Sequence, residues 1–259
     1  MESDPTLIVC PVRAESAEDI DPILQTLVSL QASAPETMVL VVDDRSPAPQ
    51  AQLLEVAAAE LNCAYVMQLD GEGHSAAVNV GLTAAVEHGM DVCIVAPGLL
   101  FESANWLGRL QARTGTDGEP AAVAGGAILE AGGTIRQAGY FFSLFRRAWA
   151  ARLRNVPEEL LDVADPLLCP VSSELQFIRR GWIERVGGYD NLMEGPHAAL
   201  DYCLRIQAEG GQCVLEPTVR ARALKASDGE PDPAAPSEGR LRLKHANMSF
   251  QRWSPEIVS

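Results

Sequence analysis

The chain has no uninterrupted apolar run of the roughly 18 residues that a membrane-spanning helix needs, and its opening residues, Met1 to Pro5, carry no basic stretch of the kind that begins a secretory signal. Both absences lead to the expectation of a soluble, unexported, cytoplasmic protein with no membrane span. Basic charge is scarce as well: 20 Lys+Arg stand against 35 Asp+Glu, a formal net charge of −15 over 259 residues. A field of that sign repels phosphate backbones and anionic membranes, so nucleic acid is excluded as a partner unless a concentrated basic face exists. C-x-x-C pairs are also missing. The six cysteines, Cys10, Cys63, Cys93, Cys169, Cys203 and Cys213, lie far apart and several sit in apolar runs, which reads as buried reduced thiols rather than a disulfide framework. There is no internal repeat. A chain of this length buries roughly 70–75% of its unfolded surface, enough for one large α/β domain without staples, two small domains being the alternative.

What is present is a regular alternation. Thr6 to Val12 is a short β-rich run, and Ile20 to Leu30 follows with apolar residues at helical spacing. Met38 to Val42 is a continuous apolar strand, Gln50 to Leu61 an Ala-rich helix, Ala64 to Gln68 a third strand, Ser75 to His88 a third helix and Asp91 to Val95 a fourth strand. Apolar strands separated by helices predict a doubly wound, mostly parallel sheet. After Phe101 the alternation is lost: Trp106 to Arg113 reads as helix, Ala121 to Leu129 as strand, and Gly132-Gly133 as a hairpin-like turn. Leu175 to Ile178, a helix from Arg180 to Val186, a helix from Leu200 to Gly210 and a strand around Cys213 to Leu215 follow. Charge is uneven here. No acid occurs between Glu130 and Glu158, while Arg136, Arg146, Arg147, Arg152 and Arg154 crowd that interval. Residues 227–239 are Pro-rich and acidic, which reads as a mobile loop, and 240–259 form a basic C-terminal tail. The expected division is 1–100 as a nucleotide-binding half and 101–226 as an acceptor-side half of one domain.

Ligands of an open parallel sheet bind beyond the carboxyl ends of its strands. That rule selects Pro11 to Glu15, Asp43 to Ser46, Asp70 to Asn79 and Ala96 to Gly98. Asp43 and Asp44 either accept from a base and ribose or form a plain turn before Ser46-Pro47. The segment Gly71-Glu-Gly73-His-Ser-Ala76 satisfies the loose dinucleotide pattern, but the acid that pattern needs should end the next strand, and Asp91 precedes it. Contact of His74 and the adjacent backbone N–H groups with an anion stays open without a dinucleotide.

Six ordered segments, LIVCPVRAES, VLVVDDRSP, DGEGHSAAVNVGLTAA, FIRRGWIERVGGYD, DYCLR and NMSFQRW, resemble the conserved stretches of the family 2 glycosyltransferases. That resemblance implies a GT-A-like fold, a Rossmann-like, mostly parallel sheet flanked by helices with a smaller acceptor-side subregion. It also implies transfer of a sugar from a nucleotide-diphosphate sugar, the cosubstrate, to an acceptor hydroxyl. By the same resemblance Pro11, Arg13, Asp43 and Asp44 hold the nucleoside, His74 and Asn79 lie near the diphosphate or ribose, and Gly98 belongs to the donor loop. A nucleotidyltransferase of related fold would carry glycines after the first strand, and PVRAES has none.

The chain departs from the family at two points. The D-x-D that holds Mg²⁺ or Mn²⁺ should end the fourth strand, where Ala96-Pro97-Gly98 offers only carbonyls, so a divalent metal is not expected. The catalytic acid of the E-D-x-D-L signature falls on Ala198 and Ala199; Asp201 matches the second acid and is the expected base, with Glu194 and His197 as alternatives. Positive charge on the leaving diphosphate would come from Arg146 and Arg147, or from Arg220, Arg222 and Lys225, unless these are solvated arginines balancing an acidic surface. A catalytically silent GT-A-fold protein that binds a nucleotide, sugar or protein partner is the competing reading. A homodimer is one option for assembly.

Overall fold

The computed structural model describes residues 4–114, 121–225 and 231–246. Its first hundred residues run β1 (Thr6–Val12), α1 (Ile20–Ser33), β2 (Met38–Asp43), α2 (Ala48–Glu60), β3 (Ala64–Met67), α3 (His74–Glu87) and β4 (Asp91–Val95). β1 pairs in parallel with both β2 and β4, and β2 pairs in parallel with β3. Helices cover both faces of these strands, which is why they read as continuous apolar runs. Successive side chains enter opposite cores. Leu7, Val9, Leu40, Val42, Val92 and Ile94 meet Val78 and Leu82 of α3, whereas Ile8, Cys10, Val39, Val41, Cys93 and Val95 meet Ile23, Leu27 and Leu30 of α1.

The remainder comprises β5 (Leu99–Phe101), α4 (Trp106–Arg113), β6 (Val123–Leu129), β7 (Ile135–Gln137), β8 (Tyr140–Ser143), β9 (Ala148–Ala151), β10 (Leu167–Leu168), β11 (Leu175–Ile178), α5 (Arg180–Val186), α6 (Pro196–Ala208), β12 (Cys213–Ala223) and α7 (Pro236–Lys244). The sheet order is β10-β12-β6-β11-β4-β1-β2-β3, with β5 on β12 and β7 on β6, and β8–β9 form a separate hairpin. Because the chain leaves β1 towards β2 and β3 and returns to its other side as β4, the carboxyl ends of β1 and β4 diverge and leave a crevice. β11 is antiparallel to β4, so the start of β11 reaches the same end of the sheet.

Three elements differ from the sequence reading. β12 runs eleven residues, far beyond Leu215, because the ladder to β6 shifts register between Glu216 and Arg220 and so steps over Pro217, which has no N–H to pair. The second long helix starts at Pro196, four residues before Leu200, since proline at the first turn sacrifices no internal hydrogen bond. The expected loop 227–239 lies outside the described residues at 227–230, and its last four residues open α7, whose Ser237, Glu238 and Leu241 are buried. All six cysteines are buried free thiols, and burial pushes Cys10 and Cys169 up to about 12.

Close approach of α3 to β1 depends on Gly81, where an added Cβ would stand 2.4 Å from a Val9 methyl carbon. Gly81→Ala should therefore lower stability by about 1–3 kcal/mol, read from urea unfolding; an unchanged midpoint would show that the two elements separate without cost.

Candidate functional site

A cleft of about 460 Å³ opens at the diverging ends of β1 and β4. Arg13, just past β1, and the Ala96-Pro97-Gly98 loop, just past β4, form two sides. His74, the first residue of α3, and Gly195-Pro196, at the start of α6, complete them, with Lys225 at the end of the chain's return from β12. Three cations, Arg13, Arg136 and Lys225, face two carboxylates, Asp19 and Glu174, in a chain whose net charge is −15.

The β4 loop is rigidly held. Gly98 has φ +83°, a conformation that favours glycine, and its N–H and that of Leu99 both donate to Thr26 Oγ1, at 2.7 and 3.1 Å. The Gly98 carbonyl accepts from Leu224 N–H at 2.8 Å. No side-chain oxygen enters the cleft from these three residues.

Beside that loop lies a charge network. Arg136 is 4% exposed and donates to both oxygens of Glu130, at 2.9 and 3.2 Å, to Glu174 Oε2 at 3.3 Å, and to the Lys225 carbonyl. The Glu174 backbone is fixed on both sides: its N–H donates to Ser172 Oγ at 3.1 Å, and its carbonyl accepts from Ala96 N–H at 2.8 Å. Burial pushes the Glu174 carboxyl up, with Arg136 opposing. His74 carries an Nε2 that is shielded from solvent and without a hydrogen-bond partner among the described residues; burial lowers its pKa, so the imidazole is neutral at physiological pH.

Of the residues expected to hold the nucleotide, Arg13, His74 and Gly98 reach the cleft. Pro11 is buried within β1, paired against Val42. Asp43 is fully buried and accepts from Ser46 N–H at 2.8 Å and from the Tyr65 hydroxyl at 2.6 Å, so it closes the turn after β2. Asp44 accepts from Gly73 N–H at 3.0 Å and lies 3.8 Å from Arg13, tying the β2 end to the loop that presents His74. Asn79 does not line the cleft. Its Nδ2 donates to the Tyr189 carbonyl and to Asn191 Oδ1, at 2.9 and 2.8 Å, and its Oδ1 accepts from Tyr189 N–H at 2.7 Å, with Gly188 leaving room for the amide.

Asp201, Glu194 and His197 do not line the cleft either. Asp201 is fully buried and receives Arg205 at 2.9 Å, Lys244 at 2.9 Å and His245 Nε2 at 2.9 Å. Burial alone would raise its pKa, but these partners outweigh it and hold the carboxyl at about 2. His197 is buried against Glu238 of α7 at 3.1 Å. Ala198 and Ala199 are fully buried. Among the expected cations, Lys225 alone lines the cleft: Arg220 is paired with Asp162, Arg222 with Glu102 and Glu158, and Arg146 and Arg147 sit in the β8–β9 turn. The sequence reading passed over Glu174, whose only signal was one acid at the mouth of an apolar strand.

A bound divalent ion needs several converging oxygen ligands. Among the described residues no three His, Cys, Asp or Glu side chains converge in that way. The two cleft carboxylates are separately engaged, Glu174 by Arg136 and Asp19 by Ser16 and by Lys225. This donor set does not fit a metal. Nor is any helix among the described residues long and apolar enough to cross a membrane.

No protein-family model and no curated protein sequence matches the chain. Solved structures do. GalNAc-T7 with UDP, GalNAc and Mn²⁺ superposes with a TM-score of 0.68 and 17% identity, covering 98% of this chain and 56% of that one. The mannosyltransferase PcManGT from Pyrobaculum calidifontis, in complex with GDP-Man and Mn²⁺, superposes at 0.60 with 15% identity, covering 88% of this chain and 59% of that one. This chain thus spans little more than half the length of either neighbour. The fold is the mixed α/β, mostly parallel curled sheet of the GT-A glycosyltransferases.

The Asp201 network makes stability depend on pH. The folded pKa is depressed to about 2, below the ordinary value near 3.9, so the stabilisation is complete above about pH 4 and is lost as the pH falls through about 2. Asp201→Asn should cost about 2 kcal/mol at neutral pH, and the gap to wild type should close across that window. Chemical denaturation at pH 7, 4 and 2.5 measures it; a constant gap would contradict the assignment.

Proposed function

We propose that the protein transfers a sugar from a nucleotide-diphosphate sugar to an acceptor hydroxyl, with the leaving diphosphate held by the chain's own cations and no divalent ion. The observation that carries this reading is the cation-rich cleft of an acidic chain, set at the switch point of a GT-A fold. Displacement at the anomeric carbon places negative charge on the departing diphosphate, and fixed donors aimed at that charge lower the barrier. Arg136 is occupied by two carboxylates. Lys225 is free enough to turn, its side chain 62% exposed and 3.5 Å from Asp19; Arg13, 40% exposed, pairs with Glu15, Glu72 and Asp44, of which Glu15 and Glu72 are solvent-exposed partners that a phosphate could replace. These two residues are the phosphate contacts in this reading, with neutral His74 lining the cleft beside them. Pro11, Asp43 and Asp44 shape the floor beneath the nucleoside, and Asn79 and Asp201 hold supporting elements in place.

The buried Ala198 and Ala199, where the resemblance calls for an acid, favour a second reading, a protein that binds the donor without turning it over. A thermal-shift panel of UDP-, GDP-, TDP- and CDP-sugars, each with Mn²⁺ and with chelator, separates them when free nucleotide is assayed alongside. One donor should raise the Tm equally in both conditions and release nucleotide, and Lys225→Ala should weaken it about tenfold. Binding without release supports the silent reading, and strict Mn²⁺ dependence contradicts metal-free binding.

A further inference from the structure

We infer that Glu174 is the group that takes the proton from the attacking acceptor hydroxyl, an assignment that rests on the transferase reading above. Four observations lead to it. Glu174 lines the cleft beside the Ala96-Pro97-Gly98 loop, joined to that loop by the hydrogen bond between its own carbonyl and Ala96 N–H. Its backbone N–H is held by Ser172 Oγ, which fixes the main chain here without engaging the carboxyl. Its Oε2 makes one contact with Arg136 at 3.3 Å, while Oε1 has no partner among the described residues. The other acid lining the cleft, the Glu130 partner of Arg136 and the expected base are engaged elsewhere: Asp19 is bound by Ser16 and faces Lys225, Glu130 gives both oxygens to Arg136, and Asp201 sits inside its own ring of cations away from the cleft.

The chemistry balances within this network. The acceptor oxygen forms a bond to the anomeric carbon, its proton passes to a Glu174 carboxylate oxygen, and the bond from the anomeric carbon to the diphosphate breaks with its electron pair leaving on the nucleotide. Glu174 becomes neutral in that step. Arg136 keeps Glu130 as its counter-ion, so no buried guanidinium is left uncompensated. Burial raises the affinity of Glu174 for the proton it must receive, and Arg136 opposes that shift by favouring the carboxylate.

Glu174→Gln preserves shape and the contact with Arg136 but cannot accept the proton. Wild type and variant are compared with each nucleotide sugar in chelator: binding by calorimetry, release of free nucleotide between pH 5 and pH 9, with water standing in for the unidentified acceptor, and Tm as a check on folding. The expected result is donor affinity within about threefold of wild type, with release at least about a hundredfold slower. Wild-type release should rise with pH through the Glu174 titration, and the variant should lose that limb. Wild-type turnover matched by the variant, or affinity and turnover falling together, would overturn Glu174 as the base and leave the transferase reading standing. A wild-type protein that binds no nucleotide sugar, or binds without release, would overturn both. If the glutamine variant fails to fold, Glu174→Asp is judged instead, and an unchanged release rate and pH limb in that shortened acid would count against the assignment.

Discussion

The cleft depends on the buried guanidinium of Arg136. It joins three chain segments that are far apart in sequence: the β6–β7 hairpin, with Glu130 after β6 and Arg136 itself in β7, Glu174 before β11, and the Lys225 carbonyl after β12. A cation taken out of water costs several kcal/mol unless its donors are matched, and removing one partner leaves a buried charge exposed to that penalty. Two carboxylates and a carbonyl meet the requirement here. Arg136 therefore ties the segment that carries Glu174, beside the β4 loop, to β6, β7 and the end of β12.

The excess of acid has a structural use in this arrangement. Arg222 is held by Glu102 and Glu158, Arg179 by Asp91, and Arg113 by Glu216, so strands β12, β11 and β4 are laced to their neighbours by pairs that sequence alone reads as surface charge. Asp201 does the same for α7, gathering Lys244 and His245 onto α6 while Glu238 returns to His197. Arg13 and Lys225 are paired as well, Arg13 with Glu15, Glu72 and Asp44 and Lys225 with Asp19, through side chains that stay 40% and 62% exposed.

Much of the fold was legible because period and hydropathy are local. The bounds of β1, β4, α4, α5 and β11 are those the spacing predicts, and Gly132-Gly133 does turn β6 into antiparallel β7. The length of β12 was hidden by Pro217, whose effect a bulge absorbs, and α7 was hidden because proline and acid also describe a loop. In the cleft, Arg13, His74 and Gly98 stood next to strand ends and could be found by a rule about strand ends. Glu174 could not. It follows Ser172-Ser173 with no motif around it, and only the antiparallel pairing of β11 against β4 brings it beside Ala96. Asn79 shows the converse: its place in a motif suggested ligand contact, yet both ends of its amide clamp α3 to Tyr189 and Asn191.

The central claim is that protein cations, not a metal, receive the diphosphate in this cleft. Anomalous diffraction from crystals grown with a nucleoside diphosphate and excess Mn²⁺ tests it most directly. The account predicts phosphate oxygens within hydrogen-bonding distance of Arg13 and Lys225 and no anomalous peak in the cleft. An Mn²⁺ peak bridging the phosphates to Glu174 or Asp19 would contradict it.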